Sequence, residues 1–392
     1  MNIYIFTSCF PYGDGEPWLG DELPYLVRVF SKVIIVPFAY YGELTARAVP
    51  EGVEYCPPII RKRTRYNAKG LYGPNTFRVF IKDFFANKVY ASRKRMYAWC
   101  VEYMHTNLII NHSFVQQIER NLNPEDVVYS YWGIDAYNLS IFWRGKAKFV
   151  SRFHGSYDLW EDARGNYAPL RAYVAQQLDL AAPISQIGYD FLTYKYPGIK
   201  AAVCRLGAFD HGVSSKSEDG VFRILSCAYM NSLKRIPLVF QFLERIKNIH
   251  IEWTHIGDGE DRAKVEAMIE TNSNPNLTVR LLGRLPHDKV IEYYQNNSVD
   301  AFISLSAIEG IPVSIMEAIS FDVPAIGTDV GGTKEIVTSQ SGVLVKSDPS
   351  FDDVATAVQT IIKGGFQPRQ YWINNFKAET NYYSFSRLLK NL

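Results

Sequence analysis

The second half of the chain alternates short apolar runs with segments of helical spacing, and no other feature limits the fold as strongly. Residues 222–228, 249–256, 277–282, 299–304, 323–327 and 342–345 read as strands. Leu233, Ile236, Val239, Phe240, Leu243 and Ile246 recur at helical intervals over 233–247. Further helices are expected near 260–270, 287–295, 312–320 and 352–363. Strands and helices joined by a few residues imply right-handed crossovers, and therefore a parallel sheet covered on both faces. Ligands in such sheets sit outside the carboxyl ends of the strands.

The first half alternates less cleanly. Strands are expected at 2–6, 32–37, 126–131, 148–152, 178–181 and 201–206, with helices near 167–176 and 186–194. A long, mostly helical insertion covers about 61–120. Residues 207–220 are polar and aperiodic and read as a hinge. With 392 residues, two domains are expected. The α/β reading is a Rossmann-like lobe over 1–212, a second over 221–370, and an amphipathic tail over 371–392.

Composition removes several classes. Apolar residues make up 47% and charged residues 21%, which is ordinary for a globular chain. The net charge of +2 gives no footprint for nucleic acid. No apolar run approaches the length of a spanning helix, and Asn2–Phe6 reads as a strand rather than a signal peptide. The 5 cysteines (Cys9, Cys56, Cys100, Cys204, Cys227) form no C-x-x-C pair, which fits a reducing cytosol. The 7 histidines are dispersed, so no metal site is expected. Gly13-x-Gly15 lacks the third glycine of a dinucleotide fingerprint, which disfavours a nicotinamide enzyme.

The sharpest constellation runs from Ser304 to Ala318, as S-L-S-A-I-E-G-I-P-V-S-I-M-E-A. It places Glu309 in a loop after a strand and Pro312 at the start of the next helix. Amides around Gly310, Ile311, Pro312, Val313 and Ser314 then form a helix N-terminus suited to a diphosphate. Glu317 lies on the same helical face as Ser314. Alone, the two glutamates also fit a solvated surface beside a helix dipole.

E-G-x-P-x-S-x-M-E-A, with Glu309 and Glu317 seven residues apart from end to end of the intervening run, resembles the signature of the family-4 retaining glycosyltransferases of GT-B fold. Four other stretches agree in order: Lys234-Arg235, Gly257-Asp258-Gly259, Leu282-Gly283-Arg284, and Asp329-Val330-Gly331-Gly332-Thr333-Lys334-Glu335. In the first lobe, Arg152-Phe153-His154-Gly155-Ser156-Tyr157-Asp158 resembles the family's H-G loop, and Phe10-Pro11-Tyr12-Gly13-Asp14-Gly15 its first loop.

The resemblance implies two Rossmann-like lobes, a cleft between them and a tail helix that crosses back onto the first. It implies a nucleotide-sugar donor held by the second lobe, UDP-linked by family habit, with no metal and no cofactor. Glu309 would contact hydroxyls of the sugar, Glu317 the ribose and Lys234 the diphosphate. Gly257, Asp258 and Arg284 would complete the donor side, and His154 would bond the reacting sugar or phosphate. Gly13, Gly15 and Asp158 would face the acceptor or a phosphate, and Glu161, like Asp158, either lines the acceptor side or is simply exposed. From their place beside the first loop, Trp18, Glu22 and Tyr25 are further acceptor candidates, with core packing the alternative favoured for Tyr25. The family places an arginine five or six residues before the lysine, where this chain has Ala228 and Tyr229. Either Arg235 supplies the second positive charge, the reading favoured here because a guanidinium suits phosphate, or the helix N-terminus carries more of it.

Between Arg61 and Arg95 lie eleven Lys or Arg and a single acid, Asp83, interleaved with aromatic residues. Such a segment fits either an anionic bilayer surface or a basic face over an aromatic core. The resulting expectation is a retaining transferase that passes a sugar to a saccharide or polyprenyl-linked acceptor in cell-surface polysaccharide synthesis. It would sit in the cytoplasm, peripheral on the inner face of the plasma membrane. A nucleotide-sugar 2-epimerase and a non-catalytic, membrane-docked sugar-nucleotide binder are the alternatives.

Overall fold

The computed structural model describes residues 1–61, 73–155, 158–161 and 164–392. They divide into two compact units, Met1–Cys204 with Tyr382–Leu392, and Arg205–Asn381.

The first unit holds a six-stranded parallel sheet in the order β3-β2-β1-β4-β5-β6. Its strands are β1 (Asn2–Thr7), β2 (Lys32–Pro37), β3 (Val53–Tyr55), β4 (Val127–Ser130), β5 (Lys148–Phe153) and β6 (Leu180–Pro183). Apart from the exposed edge strand β3, both faces are buried, so the strands read as largely apolar runs. Ile3 and Ile5 pack with Leu19, Leu23 and Leu26 of the Pro17–Leu26 helix. Tyr4 and Phe6 face the other way, toward Ile109, Val115 and Ile118. Each fully buried leucine in such a core contributes about 1.5–3 kcal/mol.

The insertion supplies the Pro74–Ala86 and Arg93–Ile110 helices; residues 62–72, part of the basic run, lie outside the described residues. Ser92 caps the second helix by accepting from the Arg95 amide. Phe80, Trp99 and Tyr103 interlock with Tyr167 and Leu170 in a small core of their own. Trp99 Nε1 donates to the Phe80 carbonyl at 2.9 Å. Phe77, Phe85, Tyr90 and Tyr97 remain exposed.

The second unit repeats the architecture, in the order β12-β11-β10-β7-β8-β9, all parallel. Its strands are β7 (Val221–Cys227), β8 (His250–Ile256), β9 (Leu277–Gly283), β10 (Ala301–Ser304), β11 (Ala325–Thr328) and β12 (Gly342–Val345). The Phe351–Lys363 helix shows how local signals agree. Ser350 and Asp353 form a capping box, and Val354, Ala357, Val358 and Ile361 make the buried stripe. Strand order reverses between β1 and β4 in one unit and between β7 and β10 in the other.

Three expectations change. Residues 201–206 form no strand: Ala202 and Cys204 bond to the edge of β6, and the only bridge is Ala181–Ala201. The segment 207–220 is no free hinge, because Ala208 N donates to Phe376 O, Ser214 N to Phe321 O, and Ser217 N to Asp300. The second unit therefore begins at Arg205, ahead of the expected 212–221 boundary. The 371–392 tail is two helices, Pro368–Asn375 and Ala378–Lys390. Phe385 and Leu389 pack in the first unit's core. Among the described residues, no helix is long and apolar enough to cross a membrane.

Candidate functional site

In the second unit the reversal of strand order leaves the loops after β7 and β10 side by side, the position where doubly wound sheets bind ligands. After β7, the Asn231 side chain accepts the amides of Leu233 and Lys234 at 3.1 and 3.0 Å. That turn aims Lys234 at the neighbouring loop. The Leu233 carbonyl accepts the Ala307 amide at 2.7 Å and ties the two loops together. Lys234 Nζ then meets Glu309 Oε1 at 2.6 Å. The lysine is 30% exposed and the glutamate 10%, so one side of the pair remains open to a ligand.

Glu309 is held from behind by glycines. Gly332 N donates to Gly310 O at 2.7 Å. Gly331 adopts φ +50°, and a Cβ there would fall 1.9 Å from the Glu309 carbonyl oxygen. Only glycine allows both the dihedral and the approach. The Val313–Ser320 helix starts immediately after, with Pro312 at its N-cap. The first-turn amides of Val313 and Ser314 have no intrahelical acceptor and face the same loop end.

Glu317, on that helix, accepts from or pairs with His287 Nε2 at 2.8 Å. Beside it, burial and the Glu317 charge push the Cys227 thiol up to about 12, which leaves it no nucleophile. Gly257 and Gly259 sit at φ +146° and +152° against the Ala228 and Met230 carbonyls. Met230 N donates to Asp258 O at 2.8 Å, so this loop buttresses the turn after β7. The Asp258 carboxylate accepts from Gly259 N at 2.8 Å and from Arg262 at 3.4 Å. Arg284 lies exposed just beyond β9.

Arg235 departs from expectation. Its Nε donates to Leu305 O, and its Nη2 donates to Ser306 O at 2.9 Å and Ser347 O at 2.8 Å. The guanidinium is a clamp on the chain leaving β10. A donor fork already committed to three carbonyls is not the second phosphate charge.

In the first unit, His154 follows β5 and is 9% exposed. Its Nε2 lies 2.9 Å from the Tyr131 carbonyl. A carbonyl only accepts, so Nε2 carries the proton and Nδ1 bears a lone pair. Nδ1 has no partner among the described residues. Burial, reinforced by the Arg152 charge, pulls the imidazole down to about 3. It is a neutral hydrogen-bond acceptor, suited to a hydroxyl and unsuited to a phosphate.

Asp158 does not line an acceptor surface. It is wholly buried and accepts the amides of His154, Gly155 and Gly133 at 2.9–3.1 Å. It staples the loop that presents His154, whose residues 156–157 lie outside the described residues. Glu161 is likewise buried, paired with Arg171, Lys195 and Tyr196. Glu22 pairs with Arg152 at 3.0 Å with both side chains sealed from solvent.

In the first loop, Gly13 sits at φ +63° against the Tyr40 ring and Gly15 against the Cys9 sulfur. The amides of Ser8, Cys9 and Phe10 converge after β1, and the Glu16 carboxylate fills them at 2.6, 2.9 and 2.8 Å. Trp132 Nε1 adds a fourth donor at 2.6 Å. Glu16 reaches back because its own φ is +57°. Sequence reading missed this residue, along with Asn231 and His287. The only advance signal for Glu16 was its place between Gly15 and Pro17.

Residues 212–379 match the family model described as glycosyl transferases group 1. The amylovoran biosynthesis glycosyltransferase AmsK of Erwinia amylovora is 26% identical over 206 residues. That match takes in 49% of this chain and 49% of AmsK, so about half of the relative's length is spanned. The apo lipopolysaccharide outer core galactosyltransferase WaaB superposes with a TM-score of 0.71 at 16% identity, covering 100% of both chains. Anabaena HepE in complex with UDP superposes with a TM-score of 0.67 at 15% identity, again covering 100% of both.

Proposed function

For a chain of GT-B fold whose residues 212–379 match the model of the group 1 glycosyl transferases, we propose transfer of a sugar from a UDP-sugar to a saccharide or lipid-linked saccharide, with retention of anomeric configuration. The observation that carries it is the Lys234–Glu309 pair at the reversal point of the matched unit. The role in AmsK's printed name, amylovoran biosynthesis, supports a polysaccharide acceptor, and the HepE complex supports UDP as the nucleotide.

In this reading Lys234 and the first-turn amides of Val313 and Ser314 neutralise charge growing on the leaving diphosphate. Electrostatic stabilisation of that kind is typically the largest catalytic contribution. Glu309 accepts hydroxyls of the sugar and Glu317 those of the ribose, and the first unit's His154 lone pair accepts a hydroxyl of a substrate sugar. The bond from the anomeric carbon to the diphosphate breaks, and a bond to the acceptor oxygen forms on the same face. The acceptor proton passes to the departing phosphate oxygen. No metal or cofactor enters these steps. The exposed Phe77, Phe85 and Tyr90, set among Arg78, Lys82 and Lys88, suit a peripheral position on an anionic membrane.

The test is a thermal-shift panel of nucleoside diphosphates and their sugars, followed by product analysis with the stabilising donor. A ligand at a hundredfold excess over Kd adds about 2.7 kcal/mol. Transfer to an added glycan with retained configuration is expected. Isomerisation of the donor without acceptor, or binding without turnover over a broad acceptor panel, would overturn the reading.

A further inference from the structure

The Glu16 carboxylate joins the loop after β1 to the loop after β4, where strand order reverses in the first unit. Its two oxygens have different partners. Oε2 accepts the amides of Cys9 and Phe10 at 2.9 and 2.8 Å, within its own loop. Oε1 accepts the Ser8 amide at 2.6 Å and, across 116 residues of sequence, the Trp132 indole Nε1 at 2.6 Å. The residue is 4% exposed. It holds φ +57°, a left-handed conformation that costs a non-glycine residue energy and persists where the surroundings over-determine it. Three amides already fix the carboxylate in its own loop, so the fourth bond acts on Trp132.

Trp132 in turn lies against His154. The indole and imidazole centroids are 4.5 Å apart, and the Tyr131 ring stands 4.8 Å from the imidazole on another side. The Tyr131 carbonyl accepts the Nε2–H at 2.9 Å. That bond fixes one point of the imidazole, and the indole face limits how the rest can turn, which decides where Nδ1 aims. The indole torsion nearest the ring is broad and roughly two-fold, so without an acceptor for Nε1 the ring has a second orientation open to it. The backbone is pinned separately, because Asp158 accepts the amides of Gly133 and His154. Main chain and indole are therefore held by different carboxylates.

We propose that Glu16 is a positioning residue for sugar transfer: it locks the Trp132 indole, which aims the Nδ1 lone pair of His154 at a substrate hydroxyl. The inference deepens the transfer reading and rests on the role given there to His154. A carboxylate offers about four lone-pair sites, and the four N–H donors take them, so Glu16 acts only through the rings. A misplacement of about 1 Å at a positioned group can cost about a hundredfold in rate.

The test compares the full chain as wild type, Glu16→Gln, Trp132→Phe, the double variant and His154→Gln. Glu16→Gln turns an NH2 group toward N–H donors, whereas Trp132→Phe keeps a ring and removes only the Nε1 donor. The first readout needs no substrate: nitrogen NMR of the imidazoles, with the His154 signals assigned by their loss in His154→Gln. Wild type should show a single Nε2–H tautomer, and both single variants shifted or exchange-broadened His154 signals. The second readout is turnover, as UDP released from the UDP-sugar that the thermal-shift panel selects. Each single variant should lose at least about tenfold in kcat, while UDP affinity stays unchanged because Lys234 and the Val313 and Ser314 amides belong to the other unit. The double variant should be no slower than the slower single one, since both changes break the same bond. Should Glu16→Gln fail to fold, Trp132→Phe, which removes one bond of the four, carries both readouts by itself. Unshifted His154 signals in the folded variants, undiminished turnover in either, or losses that multiply in the double variant would overturn the inference. Full turnover by His154→Gln would instead remove the imidazole from the transfer reading, and the inference would fall with it; the His154→Gln rate tells the two failures apart.

Discussion

Gly331 lies directly behind Glu309: a Cβ on the glycine would stand 1.9 Å from the glutamate's carbonyl oxygen. The two residues come from loops after neighbouring strands, β11 and β10, so the contact transmits the spacing of the sheet to the carboxylate. Gly331→Ala must both leave φ +50° and push the Glu309 backbone outward. We expect a loss of about 1–3 kcal/mol in unfolding free energy and a fall in transfer of at least about tenfold, because small displacements of a positioned group are costly to rate. Denaturant titration and initial rates on the same preparation check both. Unchanged transfer in a destabilised protein would detach Glu309 from the reaction.

Glu309→Gln separates binding from chemistry. The carboxylate lies 2.6 Å from Lys234 and competes with any diphosphate for that ammonium. Removing its charge should leave UDP binding equal or severalfold tighter. Transfer should fall by about a hundredfold or more, as for other preorganised polar groups in a reacting site. Calorimetry with UDP and a product assay give the two numbers. A parallel loss of UDP affinity and rate would mean that Glu309 only holds the lysine in place.

Arg235 and Lys234 are sequence neighbours with different duties. Arg235→Lys cannot reproduce a planar fork on the carbonyls of Leu305, Ser306 and Ser347. We expect about 1–3 kcal/mol of lost stability, while UDP affinity in the folded fraction is retained. Chemical denaturation followed by UDP titration distinguishes the roles. Weak UDP binding by a fully stable variant would restore the phosphate-ligand reading.

Much of this was legible before any coordinates. The alternation over β7 to β12 is written in apolar runs bounded by Gly257, Gly283 and Gly327, because buried parallel strands carry a strong signal. Lys234 and Glu309 stood out as residues, yet their pairing did not. It depends on the reversal of strand order between β7 and β10, a property of the sheet rather than of either motif. Residues 201–206 looked like a strand because A-A-V-C-R-L is apolar enough; the chain skirts β6 without building a ladder. Asp158 and Glu16 were opaque for another reason. Each turns its carboxylate back onto amides of its own loop, and such folding-back has no period and no spacing. Side-chain direction likewise decided Arg235, whose charge alone argued for phosphate.

His154 provides a pH test of the first unit. An unfolded imidazole titrates near 6.5, whereas this one is held down to about 3 by burial first and Arg152 second. Between those values the unfolded chain binds the proton and the folded chain does not. The residue's contribution to stability is therefore complete above about 6.5 and is lost as pH falls, by up to about 1.4 kcal/mol per pH unit. In the same unit, Glu102 and Asp83 are raised to about 7 and about 6, which acts in the opposite sense: their contribution is lost as pH rises through those values. Both are present in wild type and in His154→Gln, so the difference between the two proteins isolates the imidazole. Guanidinium unfolding from about pH 7 to about pH 4 should show the wild-type advantage over the variant shrinking steadily below about 6.5. A difference that does not move with pH would mean that the imidazole is solvated and titrates normally. It would then no longer be the permanently neutral acceptor that the sugar-hydroxyl role requires.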